Sequence, residues 1–179
     1  FFNAARMLNG GYLYELADCY KQAIEAANLK FDCIYGPAYK GIFLGSIIAM
    51  ILDKDGFKYP LSFNRKEIKD HGEGGNLIGK NPSGDVLIID DVISAGTAAK
   101  ESIEMIKSIE ANPKIMLVGL DRQERGSGNL SARRELEEEY SMEVISIINV
   151  DTLITYSEST PGFETYLDRL QAYRNQWGA

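Results

Sequence analysis

The chain has 179 residues, is 45% hydrophobic and 25% charged, and carries a net charge of −7. That length suits one domain, residues 1–179, with a good core, and the acidic balance disfavours a general role on nucleic acid or a membrane surface, which want a basic face. Its two cysteines, Cys19 and Cys33, have neither metal spacing nor a disulfide framework; both are expected as buried small apolar side chains in a reducing, cytoplasmic setting.

Residues 11–28 carry Leu13, Leu16, Ala17, Tyr20 and Ile24 at helical spacing. Residues 31–36 read as a short strand closed by Gly36-Pro37. Residues 41–52, GIFLGSIIAMIL, predict a buried helix, and its oily run over 42–52 is too short to span a bilayer. Residues 57–64 are strand-like but interrupted by Pro60, which predicts an edge or bent strand. VLII, residues 86–89, predicts a strand apolar on both faces that ends at Asp90 and Asp91. A helix follows over 97–110, with Ala98, Ser102, Ile106 and Ile109 on one side. Then come a buried strand over 115–120, a charged helix over 131–140, a strand over 143–148 and a terminal helix over 162–177. The alternation predicts an α/β domain with a mainly parallel central sheet flanked by helices. No signal peptide is visible. Ligands in such sheets sit beyond the carboxyl ends of the strands, so the loops after Tyr35, Asp90 and Leu120 matter most.

The loop after the central strand, Val92-Ile93-Ser94-Ala95-Gly96-Thr97-Ala98, opens the next helix. Backbone N–H groups of residues 94–98 can face one concavity, Gly96 permits a sharp bend or positive φ, and Ser94 and Thr97 add hydroxyls. This suits a terminal phosphate monoester. No Gly-Lys-Ser/Thr follows, so it is not a Walker loop. Asp90 and Asp91 then need another customer: a metal ion, sugar hydroxyls, or a carbon that becomes positive during reaction.

A hydrophobic strand, Asp-Asp and then Ser-Ala-Gly-Thr resemble the phosphoribosyl-diphosphate (PRPP) binding motif of type I phosphoribosyltransferases. FDCIYGPAYKGI (31–42), FNRKEIKDHGEGGNLIG (63–79) and LDRQERG (120–126) resemble the orotate phosphoribosyltransferases of bacteria and fungi, in the right order over nearly the whole chain. The resemblance implies the type I fold, with a small hood and a flexible lid loop. It also implies transfer of 5-phosphoribosyl from PRPP to orotate, with Mg2+ carried in on PRPP and held mostly by ligand and water oxygens.

By this resemblance residues 92–98 hold the 5-phosphate. Asp90 and Asp91 bind the ribose hydroxyls and favour a cationic sugar, an oxyanion hole with the signs reversed. Arg65, Lys66, Lys69 and His71, on a stretch with Gly72, Gly74, Gly75 and Gly79, form a lid that contacts diphosphate and excludes water. Lys69 counts with the two aspartates as catalytic. His71, the sole histidine, is read as a diphosphate contact rather than a base, because orotate is already acidic. Tyr39 and Lys40 belong to a diphosphate loop. Arg122 suits the orotate carboxylate, its alternative being an ion pair with Glu124 or another acid. Phe1 and Phe2 match the family's paired Phe against the base, and Ser94, where many relatives have Thr, offers a hydroxyl there too. The lid reaches a neighbouring subunit in the family, which implies a homodimer.

The family carries a helix, a mobile Lys and an Arg/Ser-Pro-Tyr segment before its Phe pair. This sequence starts at the pair with Phe1, not Met, and is expected to be a shortened form. Two rival readings are a phosphoribosyltransferase for another nucleobase, opposed by Arg122 and the paired Phe, and a non-catalytic PRPP-sensing regulator. Arg65, Lys66, Lys69 and the charge of −7 oppose the second.

Overall fold

The computed structural model describes the backbone of residues 2–69 and 75–179 and the side chains of residues 2–65 and 76–179. After a short 3-10 helix, Ala4–Asn9, the elements are α1 (Leu13–Ala26), β1 (Cys33–Tyr35), α2 (Lys40–Lys54), β2 (Leu61–Lys69), β3 (Gly75–Gly79) and β4 (Asp85–Ile93). They continue with α3 (Thr97–Ser108), β5 (Asn112–Asp121), α4 (Ala132–Tyr140), β6 (Glu143–Asn149), α5 (Val150–Ser159) and α6 (Glu164–Trp177). Among the described residues the strands form one six-stranded sheet in the order β3-β2-β1-β4-β5-β6. Every neighbouring pair is parallel except β2 with β3.

Successive residues of the central strands face opposite layers, as the pleat requires. Leu87, Ile89, Ile115 and Leu117 pack with Ala17, Tyr20 and Ile24 of α1 and Leu44, Ile48 and Ile51 of α2. Val86, Ile88, Met116 and Val118 pack on the other side with Ala99, Ile103 and Ile106 of α3 and Leu136 of α4. Burial on both faces explains why these strands read as unbroken apolar runs.

Several expectations change. The strand placed at 57–64 begins at Leu61; Pro60 stands just before it and contributes a carbonyl, which accepts from Ile34 N at 2.9 Å. That strand is internal, because residues 75–79, read as part of a lid loop, form the antiparallel edge strand β3. Glycine and charge hid it, since both are poor strand formers whose pairing is decided by the partner. Helix α3 buries Ala99, Ser102, Ile103 and Ile106, so its inward stripe is set one residue on from Ala98, which is exposed. Cys33 is buried but Cys19 is exposed, because it lies on the outer side of α1 beside the buried Tyr20.

Candidate active site

β1 stops at Tyr35, where Gly36 and Pro37 lead the chain out of the sheet, whereas β4 runs on to Ile93 beside β5, with Val92 opposite Leu120 and Ile93 opposite Asp121. Asp90 and Asp91 therefore lie inside a strand rather than at its end as the residue pattern predicts. The long partner strand continues the ladder, and Arg122 N still donates to the Ile93 carbonyl at 3.1 Å.

The two carboxyl groups lie within hydrogen-bonding reach of each other. Asp91, on the side of Ile89, is 4% exposed, and its Oδ2 lies 2.5 Å from Nζ of Lys40, the first residue of α2. Asp90 is half-buried and accepts from Asp91 N through Oδ1 at 2.8 Å. Burial pushes the Asp90 carboxyl up to about 7; the hydrogen bond from Asp91 N opposes this and the Asp91 charge adds to it.

The Asp90 carbonyl takes a hydrogen bond from a side chain: the Tyr20 hydroxyl donates to it at 2.8 Å and itself accepts from the Gly119 N–H. Tyr20 is fully buried, and that burial raises its phenol well above the usual range, so it remains a donor. Gly119 of β5 lies against the same point. A Cβ there would stand 3.0 Å from the Asp91 carbonyl oxygen, 3.0 Å from the Tyr20 hydroxyl and 3.2 Å from the Phe2 ring. Phe2 is thus brought beside the acid pair, and glycine leaves the room for it.

Gly96 makes the turn into α3 in the left-handed region, φ +85°, and no side chain caps the helix. Ser131 and Asn149 do cap α4 and α5. The first N–H groups of α3 therefore keep their capacity for a ligand, with the helix dipole behind them. Val92 and Ser94 are half-buried, and Ala95, Thr97 and Ala98 are exposed. Ile93 packs its side chain into the core beside Ala99 and Ile103, so only its backbone faces the turn.

Tyr39 is 70% exposed, and the loop before it is held by Ala38 N donating to Asn64 Oδ1 at 2.7 Å. Arg65 is half-buried on β2. Lys66 and Lys69 also lie on β2, with their side chains outside the described residues, as are Phe1 and His71 altogether.

Arg122 follows β5 directly. Its Nε donates to the Tyr173 hydroxyl at 2.9 Å and its Nη2 lies 2.7 Å from Glu124 Oε1, to which Tyr173 also donates. The Glu124 pair, one of the two readings open for this arginine, is present in the structure. Arg122 also lines a groove of about 610 Å3 with Tyr156, Phe163, Tyr166 and Leu170. The residues beyond it are stitched to the end of the chain: Arg125 N donates to Trp177 O at 3.0 Å and Ala179 N to Gln123 O at 3.1 Å.

Among the described residues, no group of three or more His, Cys, Asp and Glu is placed to hold a metal ion, and no helix is long and apolar enough to cross a membrane. Tyr20 and Gly119 escaped the sequence reading as site residues. The available signal was a tyrosine in an otherwise aliphatic buried stripe, since a buried phenol must find a partner.

A model of the phosphoribosyl transferase domain matches residues 9–150. Orotate phosphoribosyltransferase of Marinobacter nauticus is 48% identical over 178 residues, covering 99% of this chain and 84% of that protein. The Haemophilus influenzae enzyme of the same name is 45% identical over 179 residues, with the same coverage. The crystal structure of orotate phosphoribosyltransferase from Francisella tularensis superposes with a TM-score of 0.84 at 34% identity, covering all of this chain and 83% of the other.

Proposed function

The chain belongs to the orotate phosphoribosyltransferases within the phosphoribosyl transferase family, and from that premise we propose how its residues divide the work. The reaction moves 5-phosphoribosyl from PRPP to orotate, giving orotidine 5-phosphate and diphosphate in pyrimidine synthesis. A bond forms between an orotate ring nitrogen and the anomeric carbon while the bond from that carbon to diphosphate breaks.

The observation that carries the assignment of roles is the passage from the acid-bearing strand, through the left-handed Gly96, into an uncapped helix. The 5-phosphate is held by backbone N–H groups of residues 94–98 at that helix start. Asp90 and Asp91 accept from the ribose hydroxyls and oppose the positive charge that grows on the sugar as diphosphate leaves. Lys40, already paired to Asp91, sits where it can also meet diphosphate, with Tyr39, Arg65, Lys66, Lys69 and His71 as the remaining contacts by resemblance. Arg122 spends two of a guanidinium's five donors on Tyr173 and Glu124; the others suit the orotate carboxylate. Phe2, and by resemblance Phe1, borders the base.

Two adjacent carboxyls, one of them already ion-paired to Lys40, are too few to make a resident metal cage. They suit Mg2+ that arrives on PRPP oxygens and keeps its waters. A homodimer in which the 65–79 segment serves a neighbouring site belongs to the same reading, supported by the likeness of that segment to the family. So does a cytoplasmic setting, in which Cys19 and Cys33, both free thiols, stay reduced.

The test is ultraviolet absorbance of orotate in the presence of PRPP and Mg2+, with uracil, adenine and hypoxanthine in parallel. Consumption of orotate alone is expected. Consumption of another base with orotate untouched would overturn the assignment.

A further inference from the structure

The peptide unit between Asp90 and Asp91 is held at both ends. Its carbonyl accepts from the Tyr20 hydroxyl at 2.8 Å, and its N–H donates to Oδ1 of Asp90 at 2.8 Å. These bonds run in series: phenol to carbonyl, then through the planar amide to the N–H, then to the carboxylate. A peptide plane is rigid, so fixing its carbonyl fixes the direction of its N–H. The direction of that N–H in turn sets where the Asp90 carboxylate rests.

The phenol stands between β4 and β5: it takes a hydrogen bond from the Gly119 N–H and gives its own to the Asp90 carbonyl. A buried carbonyl without a partner is costly, and Tyr20 reaches it from α1, fully buried. Gly119 keeps the approach open, since the Tyr20 hydroxyl, the Asp91 carbonyl and the Phe2 ring all crowd its missing Cβ.

Resting on the reading of Asp90 as a group that acts on the sugar, we propose that Tyr20 is a positioning residue for the transfer step. It touches no substrate. Its hydroxyl orients the Asp90–Asp91 peptide, and the peptide orients the Asp90 carboxylate.

The test is Tyr20→Phe, which keeps the ring and deletes only the donor, beside Ile24→Val as a control. Ile24 is buried one turn further along α1, so its trimming loosens the same helix without touching the hydroxyl. Two measurements are made on each, at a temperature where all forms are folded. Hydrogen exchange of the Asp91 amide should quicken at least about tenfold in Tyr20→Phe and not in Ile24→Val. In the orotate assay kcat should fall about ten- to a hundredfold in Tyr20→Phe, the scale for misplaced groups, with the KM values for PRPP and orotate moving far less. Unaltered exchange at Asp91 overturns the proposal whatever the activity. A normal kcat, or equal losses in Tyr20→Phe and Ile24→Val, overturns it too. A parent chain that ignores orotate would instead strike the assigned reaction, and the exchange result would still decide whether Tyr20 holds the peptide.

Discussion

Lys40 Nζ reaches from the first turn of α2 to within 2.5 Å of Asp91 Oδ2, pairing a part-exposed ammonium with a carboxylate that is 4% exposed. Removing the lysine leaves a buried charge without its partner. Lys40→Ala should lower unfolding free energy by about 1–3 kcal/mol, below the full cost of breaking a buried pair because the ammonium is part-exposed. Urea midpoints measure it. Adding Asp91→Asn should restore part of the loss, because the two residues act as a unit; strictly additive losses would contradict the pairing.

Asp90→Asn and Asp91→Asn test the sugar-directed role. Each should depress kcat more than it weakens PRPP binding, since a carboxylate that answers a developing charge is used chiefly in the transition state. Steady-state kinetics beside calorimetric PRPP affinity separate the cases. A loss confined to affinity would make the pair a binding element only.

The raised carboxyl of Asp90 gives a pH signature. The unfolded chain titrates at the ordinary 3.8, whereas the folded group, buried and beside Asp91, holds its proton up to about 7. Between these values the folded protein binds the extra proton, so stability from this group is whole below the lower value and is lost as pH rises through the upper one. Asp90→Asn should therefore gain on the parent as pH rises from about 4 to about 7, as read from urea midpoints. Parallel curves for parent and variant would mean that the carboxyl titrates normally.

Arg122→Ala should weaken orotate by about 1.5–3 kcal/mol, the range for hydrogen bonds to a charged group. Glu124→Gln makes a useful companion, because it removes the competing acid and leaves the guanidinium in place. It should bind orotate at least as tightly as the parent in equilibrium titrations. Unchanged affinity in Arg122→Ala would confine the arginine to its Glu124 and Tyr173 contacts.

Gly41→Ala should be among the most damaging single changes. Its Cβ would stand 2.5 Å from Pro37 Cδ and 2.8 Å from both Gly36 C and Ile89 O. Two of these are backbone atoms of the turn that carries Lys40 and of the strand that carries the acids, so neither yields cheaply. A loss above about 3 kcal/mol is expected, seen as a collapsed melting temperature or insoluble protein.

How legible these features were depends on what each depends on. β4 and β5 announce themselves because burial on both faces leaves VLII and IMLVGL uninterrupted. α5 went unread: Val150, Thr152, Ile154 and Thr155 look like more strand after β6. The helix start was written in Asn149, whose Oδ1 accepts from Thr152 N at 2.8 Å. The extension of β4 through the two acids depends on the length of β5, a non-local matter. The Asp-Asp and Ser-Ala-Gly-Thr pattern was readable because it serves local chemistry, a turn and a helix start. Tyr20 was not, because its partner is seventy residues away and its spacing matches any core position of an amphipathic helix.

The tie between residues 123–125 and 177–179 sets what braces the loop after β5. Gln123 and Arg125 bond to Ala179 and Trp177 just past the arginine assigned to orotate, and Tyr173 of α6 bonds that arginine itself. Damage to α6 would therefore be felt at Arg122 before it reached the acid pair on β4, so a distant helix can blur base recognition while leaving the grip on the sugar intact.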